Sequence, residues 1–236
     1  LISFPILISF ILKPSISLGE EFKVLITQPK IDPWDAKYGN SKSNLDYFKI
    51  FKDLTNEELS ANEYDFVFTS ETYFSEGYGE NIDYFRYTKL YDSLNNYLSQ
   101  FNNTNLISGI QFYKLYQNQN EKPTKSANPV RDNIWVDYFN SSINMSANKG
   151  FEYNHKSKLV VGSEYMPFKS FLEPIIGTVM IDLGGTIRSM GTQHESERKV
   201  FKHSLKDLKT IPIVCYETID GEYVANYVDL GANFIS

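Results

Sequence analysis

Apolar and polar residues alternate in blocks along the first half of the chain, and their spacing predicts alternating strands and helices. Short apolar runs at residues 22–28 and 64–70 are typical of buried strands. Residues 43–60 and 81–99 carry apolar side chains at helical spacing. In the second of these helices the predicted apolar face consists of Tyr87, Leu90, Tyr91, Leu94 and Leu98. The order strand, helix, strand, helix favours an α/β layered fold.

The second half of the chain is richer in predicted strands. The expected elements are strands at 105–116, 134–145, 151–161 and 211–217, a helix at 221–231 and one more strand from residue 232. Polar residues 117–129 predict a surface loop, and Asn148-Lys149-Gly150 predicts a hairpin turn. Gly231 is suited to end the last helix.

Residues 1–12 read LISFPILISFIL and carry no charge. A membrane-spanning helix needs about 20 apolar residues, so this run is too short to cross a bilayer by itself. We interpret residues 1–19 as the end of a transmembrane helix followed by a linker, and residues 20–236 as one further domain. The alternative interpretation of the apolar run is a buried strand or a core helix.

The composition narrows the classes of function. Of the 236 residues, 42% are hydrophobic and 15% aromatic, which excludes a disordered chain. The net charge of −6 argues against a nucleic-acid partner. Cys215 is the only cysteine in the sequence, which excludes an internal disulfide and a multi-cysteine zinc site. His155, His194 and His203 lack metal-ligand spacing, so we expect neither a metal nor another cofactor.

One segment contains a glycine motif of the kind found in nucleotide-binding loops. Residues 181–186, IDLGGT, are similar to the phosphate loop of sugar kinases. No second nucleotide motif follows them, and a short glycine motif without its structural context is a weak signal. We therefore do not expect nucleotide binding.

Three residues with catalytic potential lie at predicted strand ends. Cys215 follows the apolar run IPIV, where it is either an inert buried thiol or a nucleophile that the next turn exposes. Glu71 follows FVFTS, where partial desolvation would suit a general base and a solvated carboxylate is the simpler interpretation. Lys156 leads into another apolar run. Lys158 shares its strand face, so the pattern does not choose between the two lysines.

Taken together, these segments resemble the nitrilase (carbon–nitrogen hydrolase) superfamily and, within it, the apolipoprotein N-acyltransferases. The similarity runs from about residue 20 to the end, and its main segments are FTSET (68–72), YFNSS (138–142), YNHKSKLVVGSEYMPF (153–168) and VCYETIDGEYVANYVDLGANFIS (214–236). The resemblance implies a nitrilase-like α-β-β-α sandwich as the catalytic domain. It also implies that a transmembrane helix ends at the N-terminus and that the sandwich is incomplete at the C-terminus.

The resemblance also implies roles for individual residues. Cys215 corresponds to the nucleophile, Glu71 to the general base and Lys156, rather than Lys158, to the residue that stabilises the oxyanion. The supporting positions are Glu164, Tyr216, whose backbone N–H would assist the lysine, and Glu217.

The function that the resemblance implies is acyl transfer. A fatty acyl chain would pass from a phospholipid, through a thioester on Cys215, to the α-amino group of the N-terminal lipidated cysteine of a diacylglyceryl-modified apolipoprotein. The enzyme would lie in the inner membrane of a Gram-negative bacterium, with its catalytic domain in the periplasm.

Residues 165–208 are longer than the corresponding insert of simple nitrilases and contain an apolar stretch at 171–185. We interpret this insert either as an ordinary packed loop or as a mobile arm that contacts acyl chains or the bilayer. The candidate lipid contacts are Phe168, Phe171, Leu172, Ile175 and Ile176, together with Tyr38, where some relatives carry a tryptophan.

Two other functions stay open from the sequence. A soluble nitrilase-type amidase would keep Glu71, Lys156 and Cys215 and release small amides to water; the apolar start and the long insert argue against it. The second is an inactive fragment that binds lipid or lipoprotein. Such a fragment would not need a general base, an oxyanion-stabilising lysine and a nucleophile, and the sequence has a residue for each role.

Overall fold

The computed structural model of this chain describes residues 3–12, 21–30, 42–162, 164–165 and 189–236. Its helices are α1 (Ser3–Ile11), α2 (Asn44–Ala61), α3 (Lys89–Leu98) and α4 (Gly221–Asp229). Its strands are β1 (Val24–Ile26), β2 (Phe66–Phe68), β3 (Glu80–Asn81), β4 (Asn105–Gln117), β5 (Asn128–Arg131), β6 (Ile134–Ser146), β7 (Phe151–His155), β8 (Phe201–Lys202), β9 (Lys209–Ile211) and β10 (Phe234–Ile235).

Two sheets form the centre of the molecule. Within the described residues, the larger sheet has seven strands in the order β1-β2-β4-β6-β5, with β3 paired to β4 and β7 paired to β6. Strands β1, β2 and β4 are parallel, whereas β6 is antiparallel to β4, β5 and β7. The pairing of β4 with β6 is the longest, from Asn105 opposite Ser146 to Gln117 opposite Ile134. Over the same described part of the chain, the smaller sheet contains β10, β9 and β8 in that order.

The side chains of these strands separate the molecule into layers. Successive residues of a strand point to opposite faces, so Leu106 packs under α2 and α3 while Ile107 packs between the two sheets against Phe201. On the far side of the smaller sheet, Ile211 packs in a cluster with α4. The layers therefore follow the order helix, sheet, sheet, helix, and the expected α/β class and α-β-β-α sandwich are confirmed.

Polar side chains determine where the two long helices begin. Ser43 and Asp46 form a reciprocal capping box at the start of α2. The hydroxyl of Thr88 accepts a hydrogen bond from the backbone N–H of Tyr91 and begins α3 at residue 89. The expectation of a helix from residue 81 is therefore wrong, and Tyr87, placed on its apolar face, is 83% exposed.

Two predicted strands are also too long. The strand expected at 211–217 ends at Ile211, and Cys215–Ile219 forms a 3-10 turn instead. The hairpin partner expected at 151–161 ends at His155. In both places the backbone leaves the sheet because its N–H groups are bound by the side chain of Glu217, a partner outside any strand.

Helix α1 is short, and its residues 4–12 are exposed. The alternative of a buried strand or core helix for this run is therefore wrong. Within the described residues, no helix combines the length and the apolar character needed to cross a bilayer. The boundary between residues 1–19 and 20–236 stays a prediction.

The last residue of β7 gives the fold a dependence on pH. His155 stacks on Phe139 with 4.1 Å between ring centroids, and its Nδ1 lies 2.6 Å from the hydroxyl oxygen of Ser141. Burial, together with the positive charge of Lys114, lowers the pKa of His155 to about 3. Below about pH 6.5 the imidazole of His155 binds a proton in the unfolded chain but not in the folded chain. The contribution of neutral His155 to the free energy of unfolding is therefore fully present above that pH and is lost as the pH falls towards 3.

We expect acidification from neutral pH to about pH 5 to lower the free energy of unfolding by up to about 2 kcal/mol more in the wild type than in His155→Phe. The phenylalanine keeps an aromatic ring against Phe139 but has no proton to bind. Urea denaturation followed by circular dichroism at the two pH values measures the difference. Equal losses in the two proteins would contradict this role of His155.

Candidate active site

Glu71 lies just beyond β2, in a turn that passes unusually close to β4 at Gly109. A Cβ atom on Gly109 would lie 2.4 Å from the nitrogen of Thr72, 2.5 Å from the carbonyl oxygen of Ser70 and 2.7 Å from Cα of Glu71. Glycine is the residue that leaves room for this approach. The Glu71 side chain is 38% exposed, so it is more solvated than the apolar run before it suggested.

Lys156 directly follows β7, and its side chain is 1% exposed. Its Nζ lies 2.9 Å from both carboxylate oxygens of Glu164 and 3.8 Å from Oε1 of Glu71. A buried ammonium is strongly destabilising unless it is paired, and these carboxylates pair it. Lys158 instead pairs with Asp220 at 3.0 Å, with 41% of its side chain exposed. The geometry thus distinguishes two lysines that the sequence pattern left equivalent.

Asn140 on β6 is a member of this cluster that the sequence analysis did not single out. Its Nδ2 donates to Oε1 of Glu71 at 2.6 Å and to Oε1 of Glu164 at 3.2 Å, and its backbone carbonyl accepts from the N–H of Lys156 at 2.8 Å. Two ionised carboxylates accept hydrogen bonds and do not donate them, so they determine which way the amide faces. The signal in the sequence was the segment YFNSS, which contains this residue.

Cys215 begins the 3-10 turn that follows β9. Its φ is +52°, in the left-handed region where a residue with a Cβ atom is disfavoured by about 1–2 kcal/mol. Such strain is typical of functional turns. Cys215 is an exposed residue in this turn, so the expectation that it is fully buried is wrong.

Glu217 joins the two segments that carry Lys156 and Cys215. Its side chain is fully buried, and its Oε1 accepts from the backbone N–H of Ser157 at 2.6 Å and from that of the following residue at 3.2 Å. Its Oε2 accepts from the N–H of Val214 at 3.0 Å. Three backbone donors on two segments therefore meet on one carboxylate.

Charges near the thiol act in opposite directions on its pKa. Partial burial of the sulfur raises the pKa of Cys215 above its ordinary value, and the negative charge of Glu71 raises it further. The charge of Lys156 and the backbone N–H of Tyr216 lower it. The resting thiol is therefore protonated at neutral pH, and a carboxylate that can take its proton lies beside it.

A known protein resembles part of this chain in sequence. Over 106 residues, or 42% of its length, the chain is 31% identical to the apolipoprotein N-acyltransferase of Wigglesworthia glossinidia brevipalpis. The resemblance to the apolipoprotein N-acyltransferases is confirmed. The match covers 19% of the length of that relative. No family model matches the chain.

Two solved structures are similar to this chain over most of its length. A glutamine-dependent NAD+ synthetase from Acinetobacter baumannii matches 91% of this chain over 31% of its own length, with 15% identity and a TM-score of 0.46. A carbon–nitrogen hydrolase superfamily protein from Xanthomonas campestris matches 87% of this chain over 57% of its own length, with 12% identity and a TM-score of 0.46. No functional argument rests on these two likenesses.

The remaining site residues expected from the sequence divide into two groups. Tyr216 follows the thiol and is 47% exposed. Six candidate lipid contacts lie outside the described residues: Tyr38, Phe168, Phe171, Leu172, Ile175 and Ile176.

A cavity of about 80 Å³ lies beside Glu71 between the sheets, lined in part by Ser108 and Val214. In the described part of the chain, no group of three or more His, Cys, Asp or Glu side chains is arranged to hold a metal ion.

We expect Gly109→Ala to lower the free energy of unfolding by about 1–3 kcal/mol, because the added methyl group overlaps the backbone of the Glu71 turn. Displacing Glu71 also removes a charge that raises the pKa of Cys215, so the thiol should be alkylated faster by iodoacetamide at a given pH below that pKa. Denaturation and peptide mass spectrometry measure the two effects.

Gly221→Ala is the matched control, because a Cβ atom there meets nothing within 4 Å. If Gly109→Ala and Gly221→Ala both behaved as the wild type, the close approach would have no influence on Glu71.

Proposed function

We propose that this chain is the catalytic part of an apolipoprotein N-acyltransferase that works through a thioester on Cys215. The observation that carries the proposal is the convergence of three groups from distant parts of the chain. The buried Nζ of Lys156 lies 3.8 Å from Glu71, and the charges of both residues act on the thiol of Cys215. A protonated thiol, a neighbouring carboxylate and a fixed cation are the groups that acyl transfer requires.

In the first half-reaction the thiol attacks the ester carbonyl of a phospholipid. Glu71 takes the thiol proton as the carbon–sulfur bond forms. Lys156 and the backbone N–H of Tyr216 stabilise the negative charge that develops on the carbonyl oxygen. The carbon–oxygen bond then breaks, and the proton on Glu71 passes to the departing alkoxide, which leaves as a lysophospholipid.

In the second half-reaction an uncharged α-amino group attacks the thioester. Glu71 accepts a proton from the attacking nitrogen, and the same two donors stabilise the oxyanion. The carbon–sulfur bond breaks, the sulfur regains its proton and the acyl chain leaves as an amide. The first half-reaction therefore gives the thiol proton to the lysophospholipid, and the second returns a proton from the amine to the sulfur, so the site regains its starting protonation only over the full cycle.

The other carboxylates and Asn140 hold this geometry. Glu164 binds the ammonium of Lys156 through both oxygens and also accepts from the N–H of Val160 at 2.9 Å. Asn140 links Glu164 to Glu71. We assign these residues, with Glu217, a supporting role, because they bind Lys156, Glu71 or the backbone beside Lys156 and Cys215.

The proposed substrates are a phospholipid and a diacylglyceryl-modified apolipoprotein, and the proposed location is the bacterial inner membrane with the domain in the periplasm. The cavity of about 80 Å³ beside Glu71 is far smaller than a fatty acyl chain, so the chain would extend outwards from the exposed Cys215. The exposed apolar side chains of α1, such as Phe4, Ile6 and Phe10, support the proposal that residues 1–19 end a membrane helix.

We expect the wild type, incubated with vesicles of a phospholipid that carries an alkyne-tagged acyl chain, to acquire a label on Cys215 that neutral hydroxylamine removes. Cys215→Ala should acquire none, because it has no sulfur to acylate. Cys215→Ser should trap a hydroxylamine-resistant ester or stay unlabelled. A hydroxylamine-sensitive label on Cys215→Ala would contradict the mechanism.

The two neighbouring lysines supply a matched control for this experiment. Lys156→Ala should lower the labelling rate by about 100-fold or more, the usual cost of losing an oxyanion donor, whereas Lys158→Ala should stay near the wild-type rate because Lys158 pairs with Asp220 at the surface. Release of ammonia from a small amide, with no phospholipid labelling, would favour the soluble amidase instead.

We also propose that the insert at residues 165–208 includes an arm that contacts lipid. A triple variant with serine at Phe168, Phe171 and Leu172 should transfer acyl chains from phospholipid vesicles at least 10-fold more slowly than the wild type. Its acylation by a short-chain water-soluble thioester should stay within about twofold of the wild-type rate. Steady-state rates with the two donors measure this ratio. Equal loss with both donors would contradict a role in lipid contact.

A further inference from the structure

Four buried uncharged side chains form a hydrogen-bonded row next to the candidate site. The members of this buried polar row are Gln193, Asn154, Tyr227 and Tyr223. Gln193 Nε2 donates to Asn154 Oδ1 at 2.8 Å, and Asn154 Nδ2 donates to the hydroxyl of Tyr227 at 3.0 Å. The hydroxyls of Tyr227 and Tyr223 lie 3.2 Å apart. None of the four side chains has a role in the proposed chemistry.

The row connects segments that are distant in the sequence. Asn154 lies on β7, two residues before Lys156, whereas Tyr227 and Tyr223 lie on α4, which follows the turn of Cys215. Gln193 comes from the segment before β8, and its Oε1 accepts from the backbone N–H of His155 at 2.7 Å. The end of β7 is therefore bound both through a side chain and through the backbone immediately before Lys156.

The far end of the row reaches the carboxylate that already joins these segments. Burial raises the pKa of Tyr223 well above its ordinary value, and the charge of Glu217 is the next largest cause. Glu217 in turn accepts from the backbone on both sides of the site. The row and Glu217 thus form two attachments between the lysine segment and the cysteine segment, one uncharged and one charged.

The burial of the row gives it a defined geometry. Gln193 is 8% exposed, Tyr223 is 1% exposed, and Asn154 and Tyr227 are fully buried. A buried amide or hydroxyl that loses its partner is destabilising, so the members keep their mutual orientation more strictly than surface groups would.

We infer that the buried polar row is a positioning element that sets the placement of the Lys156 ammonium relative to the Cys215 sulfur. The inference rests on the proposed function, in which these two groups act on one carbonyl. The hydrogen bonds of the row's side chains go to one another and to the backbone of His155, so the row acts through the backbone of β7 and through α4. A row that only contributed packing would leave the environment of the thiol unchanged when it was broken.

The test measures the thiol itself and needs no lipid. The charge of Lys156 lowers the pKa of Cys215, so a lysine that moves away lets that pKa rise. We expect Tyr227→Phe and Gln193→Ala to slow the alkylation of Cys215 by iodoacetamide about threefold at pH values below the pKa of the thiol, with the pH profile moved upwards by about half a unit. Peptide mass spectrometry on the intact chain follows the reaction.

Tyr97→Phe is the matched control. Tyr97 is 2% exposed, and its hydroxyl lies 2.9 Å from Oγ1 of Thr55 in the helical layer, so its loss also removes one buried hydroxyl. We expect Tyr97→Phe and Tyr227→Phe to lower the melting temperature by similar amounts and Tyr227→Phe alone to move the alkylation profile. If Gln193→Ala does not fold, Tyr227→Phe decides, because it removes a single oxygen atom.

Two outcomes would overturn the inference. In one, the profile of Tyr227→Phe superimposes on that of the wild type although its melting temperature falls. In the other, Tyr97→Phe moves the profile as far as Tyr227→Phe does, which indicates general loosening. Failure of the proposed function is separate, because it would appear as phospholipid labelling that survives in Cys215→Ala while the alkylation profiles still differ.

Discussion

A buried ammonium has to be neutralised where it lies, and the surroundings of Lys156 satisfy this requirement. With 1% of its side chain exposed, Lys156 has little water to solvate its charge. Glu164 contacts it through both oxygens at 2.9 Å, and Glu71 lies at 3.8 Å. The amide of Asn140 then spans the two carboxylates, which would otherwise repel each other. Removing one member would leave a neighbouring charge without compensation.

The sandwich brings these groups together because each follows the end of a different strand. Glu71 follows a parallel strand of the larger sheet, Lys156 follows the antiparallel hairpin strand β7, and Cys215 follows β9 of the smaller sheet. Stacking of the two sheets through apolar side chains such as Ile107 and Phe201 makes these three strand ends neighbours. Hydrophobic packing thus determines the meeting point, and polar contacts determine the geometry within it.

The layer order and the positions of most elements could be predicted from the sequence, because they depend on local periodicity. Residues 43–60 have the helical spacing that becomes α2, and residues 105–116 have the apolar content that becomes β4. The three candidate catalytic residues were recognisable because each follows a predicted strand, and the resemblance distinguished Lys156 from Lys158. The approach of Lys156 to Glu71 agrees with that choice, and the catalytic roles are those of the proposed function.

Sequence reasoning missed one contact between distant segments and two local capping contacts. Gly109 matters because the turn at Ser70 and Glu71 lies against it, and no local pattern signals that approach. The strand expected at 211–217 ended early because Glu217 binds the N–H of Val214 and draws the backbone into a turn. The helix expected from residue 81 was delayed by the cap at Thr88. In the last two cases the hydrogen bonds join residues three positions apart, and they compete with the longer strand and with an earlier start of the helix.

The left-handed backbone at Cys215 has a consequence for how this position changes over evolutionary time. At a φ of +52° a side chain with a Cβ atom is disfavoured, and glycine or asparagine would adopt the same turn with less strain. Selection for stability alone therefore acts against cysteine here, and under the proposed function selection for the sulfur opposes it. A lineage that abandoned the chemistry would be expected to drift towards glycine at this position, whereas its buried Glu217 would persist for the sake of the fold.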